Sequence, residues 1–260
     1  MGTQVIVMGA KGRMGATIAS LAQEDNDFCL MGVVEKSGYE DELEYLDCPV
    51  VTDLGELLPK FPQAVVIDFT IPEVSLNTAK KCREFNTAAV IGTTGFTPQQ
   101  LRELHRIAQS TRLLWAPNMS VGINVLLKIL PELVRLLGEK YDLEISEIHH
   151  KYKKDAPSGT ALKLAQVLAQ ARDLKLDDVG KFCREGIIGE RTKDEIGVQT
   201  LRGGDVVGDH TVYFLGPGER IEVTHRAHSR ETFAQGALRA AEWLAKQSSG
   251  KLYSMADVLI

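Results

Sequence analysis

The chain has 260 residues, 44% of them hydrophobic and 25% charged, with a formal net charge of −5. That balance supplies a core for one large domain or two modest ones. A pI near 5.7 speaks against a general nucleic-acid binder, which needs a basic face, and the apolar runs are far too short to span a membrane.

In chain order, strand and helix patterns alternate through the first half. Short apolar, β-branched runs at 4–9, 29–35, 64–70, 88–94 and 113–118 read as strands, with helices over 13–22, from Pro72 to about Glu84, and near 98–109. Apolar strands without polar alternation, separated by helices, predict a parallel sheet covered on both faces, the doubly wound architecture. Near residue 120 the texture changes. Residues 121–137 form a long apolar helix in which Pro131 predicts a kink or break. Residues 142–150, D-L-E-I-S-E-I-H-H, alternate as a strand, and a helix follows over 159–174. K-F-C-R-E-G, I-G-V-Q-T-L-R-G, H-T-V-Y-F-L-G and R-I-E-V-T-H-R-A-H then read as strands between glycine-rich turns, before an alanine-rich helix over 231–247. Neighbouring strands with short turns predict a second, α+β unit with a mixed sheet.

Two further features bear on where the chain works. Its opening carries no basic segment before a long apolar run, so no secretory signal is expected. Cys29, Cys48, Cys82 and Cys183 are widely spaced with no C-x-x-C, which suits reduced cytoplasmic thiols. A plastid location is the alternative if a transit peptide has been removed.

The first strand runs into Gly9-Ala10-Lys11-Gly12-Arg13-Met14-Gly15 and a helix start. Glycines there permit a tight turn and close backbone approach to a pyrophosphate, which a helix N-terminus attracts. Glu35 ends the second strand, 20 residues after Gly15, where an acid meets adenosine ribose hydroxyls. Lys36 follows, and a cation there can take the 2′-phosphate of NADP, so NADPH or NADH is expected. Thr93, Thr94 and Asn118 stand at later strand ends, as does Asp68-Phe69-Thr70; such ends bind ligands in open α/β sheets, or serve as helix caps.

The segment 149–161, H-H-K-Y-K-K-D-A-P-S-G-T-A, concentrates positive charge in an acidic chain. On a regular strand Leu143, Ile145, Glu147 and His149 share one face and His150 takes the other. Ser158 is a good N-cap, and position N3 is Ala161 rather than an acid. The N–H groups of Gly159 and Thr160 are thus expected to meet an external anion. Imidazoles, ammonium groups and that helix start suit a small carboxylate substrate, and a lysine can donate a proton beside a hydride acceptor. A solvated lysine loop is the plain alternative. No metal is expected, because adjacent histidines diverge on a strand.

E-I-S-E-I-H-H-K-Y-K-K-D-A-P-S-G-T-A resembles the signature of the 4-hydroxy-tetrahydrodipicolinate (dihydrodipicolinate) reductase family, E-x-x-E-x-H-H-x-x-K-x-D-A-P-S-G-T-A, at every fixed position. The resemblance continues through G-R-M-G, D-F-T-I-P, G-T-T-G-F, N-M-S-V-G-I-N-V, R-E-G-I-I-G-E-R and G-D-V-V-G-D-H-T-V-Y-F. It implies NAD(P)H-dependent reduction of 4-hydroxy-2,3,4,5-tetrahydrodipicolinate with loss of water, in lysine and diaminopimelate biosynthesis. It implies a Rossmann-type domain over 1–120 and 230–260, and a substrate-binding domain over 121–229 that builds a homotetramer through its sheet. By resemblance, Gly9 to Met14 hold the pyrophosphate and Glu35 with Lys36 the adenosine ribose. Gly92, Thr93 and Thr94, and Ala116, Pro117, Asn118 and Met119, line the nicotinamide side. His149 and Lys153 serve proton transfer, and His150, Ser158, Gly159 and Thr160 contact the substrate. Pro117 and Met119 stand where some members have alanine and phenylalanine. Lys36 lacks the planar fork of the arginine some members carry. A semialdehyde dehydrogenase of similar architecture would need a cysteine nucleophile in a suitable loop, and a nucleotide-binding sensor would have no use for the basic segment.

Overall fold

The structure, a computed structural model, describes residues 2–259. Its contacts divide the chain into two units, Met1–Val121 with Arg230–Ile260, and Gly122–Ser229.

The first unit carries a seven-stranded sheet. Its strands are β1 (Thr3–Met8), β2 (Phe28–Val34), β3 (Val50–Val51), β4 (Val65–Asp68), β5 (Ala88–Ile91), β6 (Leu113–Trp115) and β12 (Leu252–Tyr253), all paired in parallel in the order β12-β6-β5-β4-β1-β2-β3. Strand side chains alternate between faces, and here both faces are apolar. Val5, Val7, Val65, Ile67 and Val90 point to one core, with Ile18 and Ala22 of α1 (Arg13–Glu24) and Ala237, Ala241 and Leu244 of α7 (Glu231–Ala245). Ile6, Val66, Ala89 and Ile91 point to the other, with Ala79 and Cys82 of α2 (Pro72–Glu84) and Leu104 and Ile107 of α3 (Pro98–Ala108). The order reverses between β1 and β4, so the chain ends of these two strands open a crevice.

The second unit holds a five-stranded mixed sheet, order β11-β10-β7-β9-β8. Its strands are β7 (Asp142–His149), β8 (Gly180–Lys181), β9 (Ile196–Arg202), β10 (Gly208–Gly216) and β11 (Glu219–Ala227). β7 runs parallel to β9 and antiparallel to β10. One face packs Leu143, Ile145, Ile196, Val198, Val212 and Phe214 against α4 (Val121–Leu137) and α5 (Gly159–Ala171).

Two expectations are corrected, and several short elements are new. Of the kink or break expected at Pro131, the break does not occur: α4 runs through it, Leu126, Leu130 and Val134 pack the same core on either side, and tertiary burial outweighs the lost hydrogen bond. The strand expected over K-F-C-R-E-G is only Gly180–Lys181. Beyond it Arg184 leaves the ladder to fork onto Glu144 at 2.9 and 2.6 Å. Strands β3 and β12, the short helices α6 (Leu176–Val179) and α8 (Met255–Val258), and the 3₁₀ turns at Asp41–Leu46 and Leu54–Glu56 were not anticipated, being too short to show a period.

Candidate active site

In the first unit a cleft of about 580 Å³ lies at the reversal of strand order, lined by Gly9, Gly12, Arg13, Met14, Glu35, Lys36, Phe69 and Thr70 among others. The turn after β1 explains its glycines. Gly9 has φ +65°, in the left-handed region that favours glycine. A Cβ on Gly15 would stand 2.1 Å from the Gly9 carbonyl oxygen, so only glycine lets α1 start this close to the turn. Gly12 caps α1 without a side-chain hydrogen bond, and the first turn holds no acid. That start of α1 is suited to a phosphate. Glu35 accepts the Lys11 N–H at 3.0 Å and the Lys36 N–H at 2.9 Å, which fixes its carboxylate at the cleft edge. The turn, the uncapped helix start and the placed acid together fit a dinucleotide.

The remaining expected cofactor residues lie apart from this cleft's lining. Ala10 is core. The Lys11 ammonium turns onto Glu42 at 2.6 Å and the Tyr39 ring. A Cβ on Gly92 would strike the Phe69 ring at 2.2 Å. Thr93 is buried, its hydroxyl 2.7 Å from Ser75 and its carbonyl accepting from the Trp115 indole at 3.0 Å. Thr94 and Pro117 are exposed. Asn118 Oδ1 accepts the Ser120 N–H at 2.8 Å. Ala116 and Met119 are buried in the core; a Cβ on Gly236 of α7 would meet the Met119 carbonyl oxygen at 1.9 Å. Beneath Thr93 lies a network that sequence reading did not foresee. Asp68 is fully buried and accepts from the Thr70 N–H and hydroxyl, the Ser75 hydroxyl and the Thr78 hydroxyl at 2.8, 2.6, 2.9 and 2.7 Å.

In the second unit the buried row of β7 begins apolar, Leu143 and Ile145, and ends polar, Glu147 and His149. The register aligns Glu147 with Thr200 of β9 and His210 of β10, and His149 with Arg202. These side chains therefore share one face. Glu147 is 0% exposed. It accepts both arms of the Arg202 guanidinium at 2.8 and 2.9 Å, the Ser158 N–H at 2.9 Å and the Thr200 hydroxyl at 3.3 Å, and it lies 2.6 Å from His149 Nδ1. Burial pushes the Glu147 carboxyl's pKa up; Arg202, His149 and the Ser158 N–H more than offset this and hold it below its ordinary value. His149 lies below the ordinary histidine value because burial and the cations Lys153 and Arg202 outweigh Glu147. His210 packs edge-on to His149, centroids 5.1 Å apart, and is pushed down to about 3 by burial first and by His149 second. It stays neutral at physiological pH.

The charged loop is tied to this row. Arg202 also donates to the Asp155 carbonyl at 2.7 Å, Lys153 pairs with Asp155 at 2.9 Å, and the His150 N–H donates to Val206 at 2.8 Å. His150 Nδ1 is buried with no hydrogen-bond partner. Ser158 caps α5 as expected, its hydroxyl accepting the Ala161 N–H at 3.1 Å and lying 3.2 Å from His210 Nε2. Ser158 is thus committed to protein partners. One expectation needs refining: no acid stands at N3 of α5, but Glu147 reaches its N-cap from β7. Gly159 is exposed, with open space where a Cβ would sit. His149, Lys153, His150 and the α5 start are thus brought to one end of the sheet. Glu147, Arg202 and His210 were missed as site residues. The signal for the first was an acid in the buried row of an alternating strand, which demands partners.

Among the described residues no group of three or more His, Cys, Asp or Glu could hold a metal ion, and no helix is long and apolar enough to cross a membrane. All four cysteines are free.

Comparison with known proteins agrees with this geometry. Residues 3–119 match the family profile described as dihydrodipicolinate reductase, N-terminus, and residues 122–259 match its C-terminus. A 4-hydroxy-tetrahydrodipicolinate reductase of Oleidesulfovibrio alaskensis is 62% identical over 259 residues, covering 100% of both chains. That of Lawsonia intracellularis is 49% identical with the same coverage. The solved structure of a dipicolinate-bound dihydrodipicolinate reductase from Paenisporosarcina sp. TG-14 aligns with TM-score 0.77 and 26% identity over 98% of each chain. The chain therefore belongs to the dihydrodipicolinate reductase family, oxidoreductases that use a nicotinamide cofactor to reduce 4-hydroxy-tetrahydrodipicolinate in lysine biosynthesis.

Proposed function

We propose that His149 and Lys153 handle the proton of this reaction and that the start of α5 takes a substrate carboxylate. The observation that carries this reading is the grouping at the end of β7. A buried carboxylate holds His149 at 2.6 Å while its other oxygen takes the Ser158 N–H at 2.9 Å, next to open Gly159. The nicotinamide cofactor supplies a hydride when bound. Hydride addition to the unsaturated ring leaves an enamine-like anion, and a neighbouring ammonium with mobile protons suits its protonation. Lys153 is that donor, with His149 beside it. Gly159, Thr160 and His150 clamp the carboxylate, and Ser158 shapes the clamp from behind. The dipicolinate bound by the relative from Paenisporosarcina is a planar dicarboxylate, which supports a dianionic ligand. Replacing Lys153 by Ala or His149 by Gln should lower kcat by roughly 10²-fold or more, the scale of a lost general acid. Cofactor affinity should stay unchanged. Near-normal turnover of Lys153→Ala, with the dihydrodipicolinate synthase product supplied by a coupled assay, refutes the assignment.

The same reading extends to cofactor choice and assembly. Glu35 meets the ribose hydroxyls and Lys36 the 2′-phosphate, so both NADH and NADPH turn over. Lys36→Ala should then raise KM for NADPH alone; equal effects on both cofactors count against it. Four copies assemble in the cytoplasm through the central sheets, whose outward side chains include Leu201, 49% exposed. Sedimentation equilibrium should return the mass of four chains, and a monomer mass excludes this.

A further inference from the structure

We infer that Glu147 is a positioning residue that fixes the proton of His149 on Nδ1 and ties that imidazole to the start of α5 through one carboxylate. The inference rests on the reading of His149 as a proton-handling residue and explains how the fold prepares it.

An ionised carboxylate only accepts. Glu147 is fully buried and faces the Arg202 fork, the Ser158 N–H and the Thr200 hydroxyl, and every one of these is a donor. Arg202 keeps the carboxylate ionised. At 2.6 Å, His149 Nδ1 must therefore carry the hydrogen, and neutral His149 has its lone pair on Nε2. An isolated imidazole prefers the opposite tautomer, so the carboxylate selects the rarer form.

The surroundings leave Nε2 accessible. A Cβ on Gly208 would sit 3.0 Å from it, so any larger residue at the start of β10 would crowd that edge. Among the described residues Nε2 makes no hydrogen bond. The charged and titratable groups facing His149 are Glu147 on β7, Arg202 on β9, His210 on β10 and Lys153 in the loop. Of these, only Glu147 raises the proton affinity of the imidazole. His210 is neutral, and Lys153 and Arg202 oppose protonation. Glu147 thus decides which nitrogen holds the proton and is the one facing group that favours a proton on the other, against burial and the two cations. Because its second oxygen holds the Ser158 N–H, the imidazole and the carboxylate clamp move as a unit. A group held this way loses no orientation at the moment of proton transfer.

The test is a pH titration of ¹⁵N-histidine-labelled protein followed by NMR, run beside steady-state kinetics. In the unaltered protein His149 should show a protonated Nδ1 and an unprotonated Nε2 at neutral pH; the reverse pattern overturns the inference whether or not any variant folds. In Glu147→Gln the tautomer should become mixed and the His149 titration should move to lower pH. The ionisation of His149 in kcat/KM should move with it, and turnover should fall by roughly 10²-fold, with cofactor affinity retained. A merely structural loss would lower activity equally at every pH and leave the ionisation where it was, and that result sinks the inference. The parent reading fails separately: if His149→Gln turns over normally while the tautomer still responds to Glu147→Gln, Glu147 positions a histidine that does no proton transfer.

Discussion

Replacing Arg202 by Leu should turn the acid limb of the second unit's stability upside down. In the native protein Glu147 lies below its ordinary value of 4.5, burial being outweighed by Arg202, His149 and Ser158. A carboxylate so lowered stabilises the fold above the unfolded pKa, and that contribution is lost as pH falls through the folded pKa. Arg202→Leu removes the fork at 2.8 and 2.9 Å and leaves a carboxylate with 0% exposure and no guanidinium. Breaking a buried pair by deleting one partner costs about 3–5 kcal/mol. Without Arg202, burial dominates and the folded pKa of Glu147 rises above the unfolded value. The folded state then binds a proton the unfolded state lacks, so the variant's deficit is full above the new pKa. It shrinks by about 1.4 kcal/mol per pH unit as pH falls between the two values. Tryptophan fluorescence cannot follow this, because Trp115 and Trp243 both lie in the first unit. Amide hydrogen exchange of β7 and β9, corrected for intrinsic rates, reports the right region. A deficit that is the same at about pH 8 and at about pH 5 would show that lost side-chain packing, and not a stranded charge, sets the cost.

Two further perturbations probe the first unit. Gly15→Ala places a methyl 2.1 Å from the Gly9 carbonyl, so α1 must retreat from the turn. The dissociation constant of either cofactor should rise by an order of magnitude or more, consistent with roughly 1.4 kcal/mol or more of lost phosphate binding; calorimetric titration showing unchanged affinity contradicts the phosphate-turn reading. Asp68→Ala strands the Thr78 hydroxyl, which is 1% exposed, and the Thr70 N–H, while the Ser75 hydroxyl keeps Thr93 at 2.7 Å. At about 1–3 kcal/mol for each unsatisfied group, urea unfolding followed by tryptophan fluorescence should lose roughly 2–5 kcal/mol. The double change Asp68→Ala, Thr78→Val should recover part of it, whereas additive losses argue against the network.

The limits of reading this chain follow from the range of each physical signal. Strands β1, β4 and β5 are legible because two buried faces leave unbroken apolar runs such as V-I-V-M and V-V-I-D. β7 is legible because one buried face imposes alternation along its eight residues. Both patterns are local. The strand expected after Lys181 failed because nothing in K-F-C-R-E-G announces that Arg184 will seek Glu144, 40 positions away. The site divides the same way. His149, Lys153 and the α5 cap lie within ten residues of one another and carry a signature. Arg202 is 55 positions from Glu147, and His210 is 52 from Ser158. Their roles exist only once the register sets Glu147 opposite His210 on one side and Thr200 on the other. A buried acid is itself evidence for such unseen partners, since leaving it unpaired costs more than the strand's alternation gains. A buried acid at Glu147 thus calls for partners without naming them; only the pairing of three strands decides that one is Arg202 and that the same carboxylate also holds His149.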